Sequence, residues 1–323
     1  MAIQFGRNAF INVSSVKEGT YGDGSGTFNV WNRIFSCTLQ RTQTREQVTH
    51  LSTSNGAFSK AQFAVMTEVS GTVEMPLYYA GCGPWIRYAL GSSSTAGGSA
   101  PYTHTYTAGT IPLESFSLKF QRGTGGSEQF EGCMISNLTI SCSAGEEARL
   151  SCDIIGENSA ARGSSLPAPT FGGGGPVLHH QSNVNALRYT PSGGSLQNYS
   201  LKSFEFSLDN KLERRDKLGS LLTASPDVTD IREVTLSCTA DMEDEAIYNH
   251  QLDGTSGEIL VQFTSGTDEF VIRMYNAVVM EYSDEVTTVG RLERTFTFKG
   301  FADSSNEACK IEVVNDQPSA ESN

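Results

Sequence analysis

The sequence predicts an all-β fold built from two tandem units, and three observations carry that prediction. The first is Phe130 to Gly156, FEGCMISNLTISCSAGEEARLSCDIIG, two runs of alternating residues joined at Ala144-Gly145. Met134, Leu138, Ile140 and Cys142 alternate with Asn137, Thr139, Ser141 and Ser143 on the outgoing run. Ala148, Leu150, Cys152 and Ile154 alternate with Glu147, Arg149, Ser151 and Asp153 on the return. A period of two over that length describes a long β-hairpin with one face on a core and the other polar. The second observation is an echo: Phe270 to Gly300 again runs strand, acidic turn, strand, ending on Gly300 as the first ends on Gly156. Phe35, Leu39 and Arg45 likewise match Phe204, Leu208 and Arg214, and EVSGTV at 68–73 matches EVTLSC at 233–238. Matched segments in one order indicate a duplicated unit. The third is composition: 32 glycines, 10 prolines and Ser/Thr-rich alternation suit strands and turns.

Taken in order, residues 1–30 read as an irregular N-terminal arm, with FGRN near the start and GDGSG at 22–26. No strand precedes those glycines and no amphipathic helix follows, so a turn is expected rather than a phosphate loop. Residues 31–156 form the first unit. Its first strand runs from Trp31 to Gln40 with Phe35, Cys37 and Leu39 on one face. A long polar connection from Arg45 to about Gln62 follows, of a length that is uncommon unless the loop binds something. Glu68 to Met75 is the next strand, and Pro76 opens a short helix whose aromatics Tyr78, Tyr79, Trp85 and Tyr88 cover an open barrel end. Gly91 to Ala100 reads as flexible, and Pro101 to Tyr106 is expected to pair with Ser115 to Phe120. Residues 157–178 have a Gly/Pro/Ser linker composition. Residues 179–301 repeat the unit, with a helix from Asp244 to Gln251, and 302–323 read as a partly disordered polar tail.

The formal charge is −13, from 36 acidic and 23 basic residues, which disfavours tight binding to nucleic-acid phosphate. Seven cysteines form no CxxC pair, and Cys37, Cys142, Cys152 and Cys238 fall in apolar strand phase, as reduced core residues would. Neither a signal pattern nor an apolar run of about 18 residues is present, so no membrane anchor is expected. No nucleophile motif is present. His179-His180 would point to opposite faces of a strand, and the acidic clusters at 146–147, 241–245 and 284–285 lack calcium-loop spacing. No catalytic residue, metal site or cofactor is expected.

GRNAF at 6–10, PYTHTYTAGTIPLESFSLKFQRG followed by the organising hairpin, and SFEFSLDNKLERR with its trailing VTLSCTADMED resemble the tail tube proteins of long-tailed bacteriophages (siphophages), in the type that carries the tube fold twice. The resemblance covers most of residues 5–301. It implies two tandem tail-tube-type β-sandwich or barrel domains, each with a small flanking helix and a long hairpin. It also implies a structural virion protein whose rings stack into the hollow tube through which DNA is ejected without specific binding. Synthesis in the host bacterial cytoplasm and residence in the virion tail are implied too, with tape measure, tail terminator and distal tail proteins as partners. Six single-domain copies close a ring in this family, so a duplicated chain is expected to close one with three, a hexamer being the alternative. On this reading the candidate lumen-facing residues are Thr139, Ser141, Ser143, Glu147, Arg149, Asp153, Glu281 and Glu293, with Arg149 balanced by Glu147 or Asp153. The candidate inter-ring contacts are Arg45, Glu46, His50, Ser52, Asn55, Phe58 and Lys60, together with the arm. The alternatives are a baseplate, tail-tip or receptor-binding ring protein of the same fold, and a carbohydrate-active β-sandwich enzyme with a cleft at Trp85, Tyr78 and Tyr79.

Overall fold

A computed structural model describes residues 6–47, 62–109, 111–171, 177–182, 187–242, 245–284 and 292–320. The strands are β1 (Phe10–Ser14), β2 (Phe28–Asn32), β3 (Ser36–Cys37), β4 (Gln40–Gln47) and β5 (Gln62–Pro76), followed by helix α1 (Gly83–Leu90). Next come β6 (Gly91–Ala96), β7 (Tyr102–Ala108), β8 (Phe116–Gln121), β9 (Ser127–Ser143), β10 (Arg149–Gly156) and β11 (Asn158–Ser159). The second half holds β12 (Leu187–Pro191), β13 (Gln197–Tyr199), β14 (Leu201–Asp209), β15 (Leu212–Arg215), β16 (Ala224–Val228) and β17 (Glu233–Asp241). After helix α2 (Ala246–Asp253) follow β18 (Ser256–Ser265), β19 (Asp268–Ser283), β20 (Glu293–Gly300) and β21 (Lys310–Asn315). The fold is all-β with two small helices, and the sheet does not close into a barrel within one chain.

The two long hairpins are present, β9–β10 and β19–β20. Each is bent by a bulge at the same distance from its terminal glycine. Asp153 faces Asn137 and Ile154 faces Ile135, which leaves Ser136 unpaired; Thr297 faces Glu281 and Phe298 faces Val279, which leaves Met280 unpaired. A bulge redirects a strand, so the N-terminal halves of β9 and β19 join outer layers while their C-terminal halves stay in an inner sheet. The outer layer of the first half is β2-β1-β8-β9, with β11. That of the second is β13-β12-β18-β19-β21-β7-β6.

The inner sheet is antiparallel throughout, in the order β4-β5-β10-β9-β14-β17-β20-β19. The junction between halves is β9 with β14, paired from Asn137↔Asp209 to Ser143↔Ser203. Asn210, fully buried, closes this junction at the β9 bulge. Its amide donates to the Ile135 and Ala89 carbonyls at 2.9 and 3.0 Å, and its side-chain oxygen accepts from Arg232 Nε at 2.7 Å.

Inward residues of both layers form one apolar core, including Val73, Leu138, Ile140, Leu150, Phe206, Leu236, Phe263 and Phe298. Helix α1 starts with Pro84 in its first turn and ends at Gly91, whose φ of 105° suits glycine. Its aromatics pack inward: Tyr88 stacks on Phe116 at 4.4 Å, and Trp85 Nε1 donates to Asn32 at 3.0 Å. Arg294, at an apolar phase position, is buried opposite Ala240, with its guanidinium 5.4 Å from the Tyr199 ring. All seven cysteines are free. Burial pushes the Cys82 and Cys309 thiols up to about 12.

Several sequence expectations need correcting. The N-terminal arm is not irregular, because β1 and β2 belong to the outer layer. Its glycine-rich turn is tied down by the buried Glu18 carboxylate, which accepts from Ser115 and Ser117 hydroxyls and from the Gly22 and Gly132 amides at 2.6–3.0 Å. Gly91–Ala96 is a strand, and β7 pairs with β6 and β21 rather than with Ser115 to Phe120. Within residues 157–178, β11 pairs with β9, and Leu178 exchanges backbone bonds with Leu77 and Ala148. The tail is not disordered over Lys310–Asn315, since β21 lies between β7 and β19. Ile311 and Val313 are fully buried there, and Asn315 bonds His104 at 3.0 Å and the Tyr79 carbonyl at 2.6 Å.

Removing residues 310–323 therefore strips Ile311 and Val313 from the core and takes away the Asn315 partner of His104 Nε2, leaving only the bond of its Nδ1 to Thr95. At about 1.5–3 kcal/mol per buried aliphatic side chain, the truncation is expected to cost on the order of 3–6 kcal/mol. A thermal melt of the truncated protein checks this, and an unchanged midpoint would contradict it.

Candidate functional site

Alternation along the inner strands buries one set of side chains and turns the other to a single broad polar face. Register sets these residues in rows. One row runs Thr72, Asp153, Asn137, Asp209, Glu233; the next runs Glu74, Ser151, Thr139, Ser207, Thr235, Lys299. A third runs Arg149, Ser141, Glu205, Ser237, Thr297, Glu281, and a fourth runs Ser143, Ser203, Thr239, Thr295, Ser283. All four rows cross the β9–β14 junction without an apolar interruption.

Hydroxyls dominate the face and bond one another along it. Ser237 and Thr297 oxygens are 3.0 Å apart, Ser207 donates to Asn137 at 3.0 Å, and Thr72 donates to Asp153 at 2.5 Å. Its cations are held by carboxylates: Arg149 by Glu74 at 2.8 Å, Lys299 and Lys211 by Glu233 at 2.7 and 3.1 Å, and Lys202 by Asp241 at 2.9 Å and by Glu293. Hydrogen bonds to their carboxylate partners raise the pKa of Arg149 and of Lys202, and the two lysines hold Glu233 below the usual carboxylate range. Among the described residues Glu205 and Glu281 make no ion pair, and carboxylates outnumber cations on the face.

Thr139, Ser141, Ser143, Arg149 and Asp153 are brought together on this face, with Glu281 and Glu293 on the same face toward its far end. Glu147 lies beyond the β10 ladder, bridging His179. Arg149 is balanced neither by Glu147 nor by Asp153 but by Glu74 on β5, with its guanidinium also 4.7 Å from the Phe35 ring. Sequence reading missed Glu74 because the partner lies 75 residues away. It also missed the central part of the face, Ser203 to Asp209 and Glu233 to Asp241, although the spacing of Phe204, Phe206 and Leu208 carried that signal. Arg45 and Glu46 stand exposed on β4, while His50, Ser52, Asn55, Phe58 and Lys60 lie outside the described residues. A carbohydrate cleft at Trp85 and Tyr79 is excluded by their burial in the core.

Such a face is rich in hydroxyls, and its fixed charge is predominantly negative. A family model described as phage tail tube protein matches residues 8–300. The chain belongs to the phage tail tube protein family. No curated protein matches it. A phage tail tube protein is a structural component of the virion tail.

The Glu233 pair network yields a pH prediction. A carboxylate whose folded pKa is depressed contributes stability that is fully present above its unfolded value, about 4.3, and that is lost as pH falls through the folded value. Glu233→Gln should therefore narrow the difference in melting temperature between pH 7 and pH 3. An identical pH dependence in variant and parent would contradict the network.

Proposed function

We propose that this protein is the major tail tube subunit of a siphophage, a duplicated tube fold whose rings stack around a lumen for DNA. The observation that carries the reading is the uninterrupted polar face across β9 and β14. One half of the chain already stands beside the other as neighbouring subunits of a ring would, with the C-terminal half of one long hairpin strand receiving the first inner strand of the next unit.

The two outer edges of the sheet support ring closure. One edge is β3–β4, the counterpart of β14; the other is the C-terminal end of β19, the counterpart of the β9 segment that pairs with β14. An exposed strand edge is a template for pairing. Joining these edges between chains repeats the β9–β14 contact. Three chains then supply about 24 strands, and at about 4.8 Å per strand the closed sheet has a diameter of roughly 37 Å between backbones, room for a duplex with its hydration. Thr139, Ser141, Ser143, Arg149, Asp153, Glu281 and Glu293 line that lumen in this arrangement, joined by Glu74, Glu205 and Ser237. The tip of the connection between β4 and β5 then belongs to the contact with the next ring.

Electron microscopy of the purified protein tests the assembly: rings and tubes are expected, and monodisperse single chains would contradict it. Changing Asp153, Glu205 and Glu281 together to lysine should leave tubes intact but slow DNA ejection from virions. The slowing should weaken as salt rises, since attraction to phosphate is screened. Ejection at the parental rate from such virions would place DNA elsewhere.

A further inference from the structure

Within one chain, the second half reaches over the first through a hairpin. Past the β14–β17 ladder the backbone bends at Asn210 and Lys211, whose φ is 50°, and β15–β16 form a separate two-stranded ribbon. That ribbon lies on the first half. The Leu221 carbonyl accepts from the Thr67 amide at 2.7 Å, Arg214 pairs with Glu68 at 2.6 Å, and the Ser225 hydroxyl meets the Met134 sulfur at 3.9 Å. Thr67 and Met134 are buried beneath it.

The strand registers identify the corresponding place on the second half. Val69 faces Gly156, the last residue of β10, while Thr235 faces Lys299, which puts Val234 opposite Gly300, the last residue of β20. Met134 faces Ile155 as Val278 faces Lys299. Thr67, Glu68 and Met134 therefore correspond to Arg232, Glu233 and Val278. No ribbon of this chain covers that place among the described residues. It borders instead an open groove of about 970 Å³, walled by Leu90, Arg232, Val234, Gly300 and Phe301. Ile231, Ile111 and Phe301 are 82, 55 and 40 % exposed at its rim.

The element equivalent to β15–β16 in the first half is the free end of the β4–β5 ribbon, where Glu46 faces Phe63 and Gln47 faces Gln62. Among the described residues it covers nothing in its own chain: Phe63 and Val65 are 51 and 39 % exposed, and Arg45, the counterpart of Arg214, is exposed too. We propose that the groove beside β17 and β20 receives the β4–β5 ribbon of a second copy of this chain, with Phe63 and Val65 against Ile231 and Phe301. Its own ribbon cannot serve. β4 stands at the opposite edge of the eight-strand sheet, and six strand spacings of about 4.8 Å put it roughly 29 Å from β20. Charge fits as well: of the groove's carboxylates Glu233 is already held by Lys299 and Lys211, while Asp230 and Glu307, beside Arg232, make no ion pair among the described residues and stand where Arg45 would enter. The proposal rests on the ring reading above and assigns Arg45 and Glu46 to a lateral contact between copies within a ring.

Phe63→benzoylphenylalanine in the full chain, mixed as ¹⁴N and ¹⁵N copies, allowed to assemble and irradiated, tests the contact. The expected product is a mixed-isotope crosslink from position 63 to peptides spanning 228–234 or 299–309. Crosslinks from assembled particles to any other segment overturn the groove contact and leave the ring reading standing; absence of particles overturns both. Ile231→Glu, at an exposed position, should retain the parental melt of the single chain and lower the yield of this crosslink about tenfold or more, as loss of a central apolar anchor does. An unchanged yield overturns the assignment of Ile231.

Discussion

The seven-residue pairing of β9 with β14 is the contact on which the rest of the molecule depends. It turns two half-sheets into one, and it requires the second half to begin where the first ends, beside the C-terminal arm of the long hairpin. Asn210 makes the join specific: a fully buried amide must find partners, and the carbonyls of Ile135 and Ala89 with Arg232 Nε are available only when β14 sits in this register. A slip by one residue would turn Phe204, Phe206 and Leu208 to the polar face.

From that junction the organisation of the outer layers follows. The second half extends its outer sheet with β7 and β6 from the first half and with β21 from the C-terminus. The halves are thus interlocked in both layers, by β9–β14 inside and by the β19–β21–β7 strip outside. The edges left over are unequal, one ending in a ribbon and the other beside an apolar groove; in the proposed ring, unequal edges would direct copies head to tail rather than face to face.

Much of this was legible in the sequence because it is local. The alternation of Leu138, Ile140, Leu150 and Cys152 gave the hairpin and its faces, and the aromatic run after Pro76 indicated a short helix, although α1 begins only at Gly83. What escaped is long-range. Lys310–Asn315 is a polar-flanked strand of six residues whose burial depends on two strands, one about 40 and the other more than 200 residues away, so composition alone read it as a tail. The arm around Glu18 looked irregular because its order comes from a carboxylate gathering donors from Gly22, Ser115, Ser117 and Gly132, not from periodicity. The middle of the polar face, on β14 and β17, was not legible for a similar reason: only the long-range pairing of β14 with β9 places those strands beside the hairpin.

If one chain supplies two adjacent positions of a ring, the β9–β14 contact recurs between chains. Native mass spectrometry of the smallest closed assembly measures this directly. A mass of three chains, about 104 kDa from a chain of 34.8 kDa, is expected; a six-chain ring would place the second half outside as decoration and contradict a shared lumen.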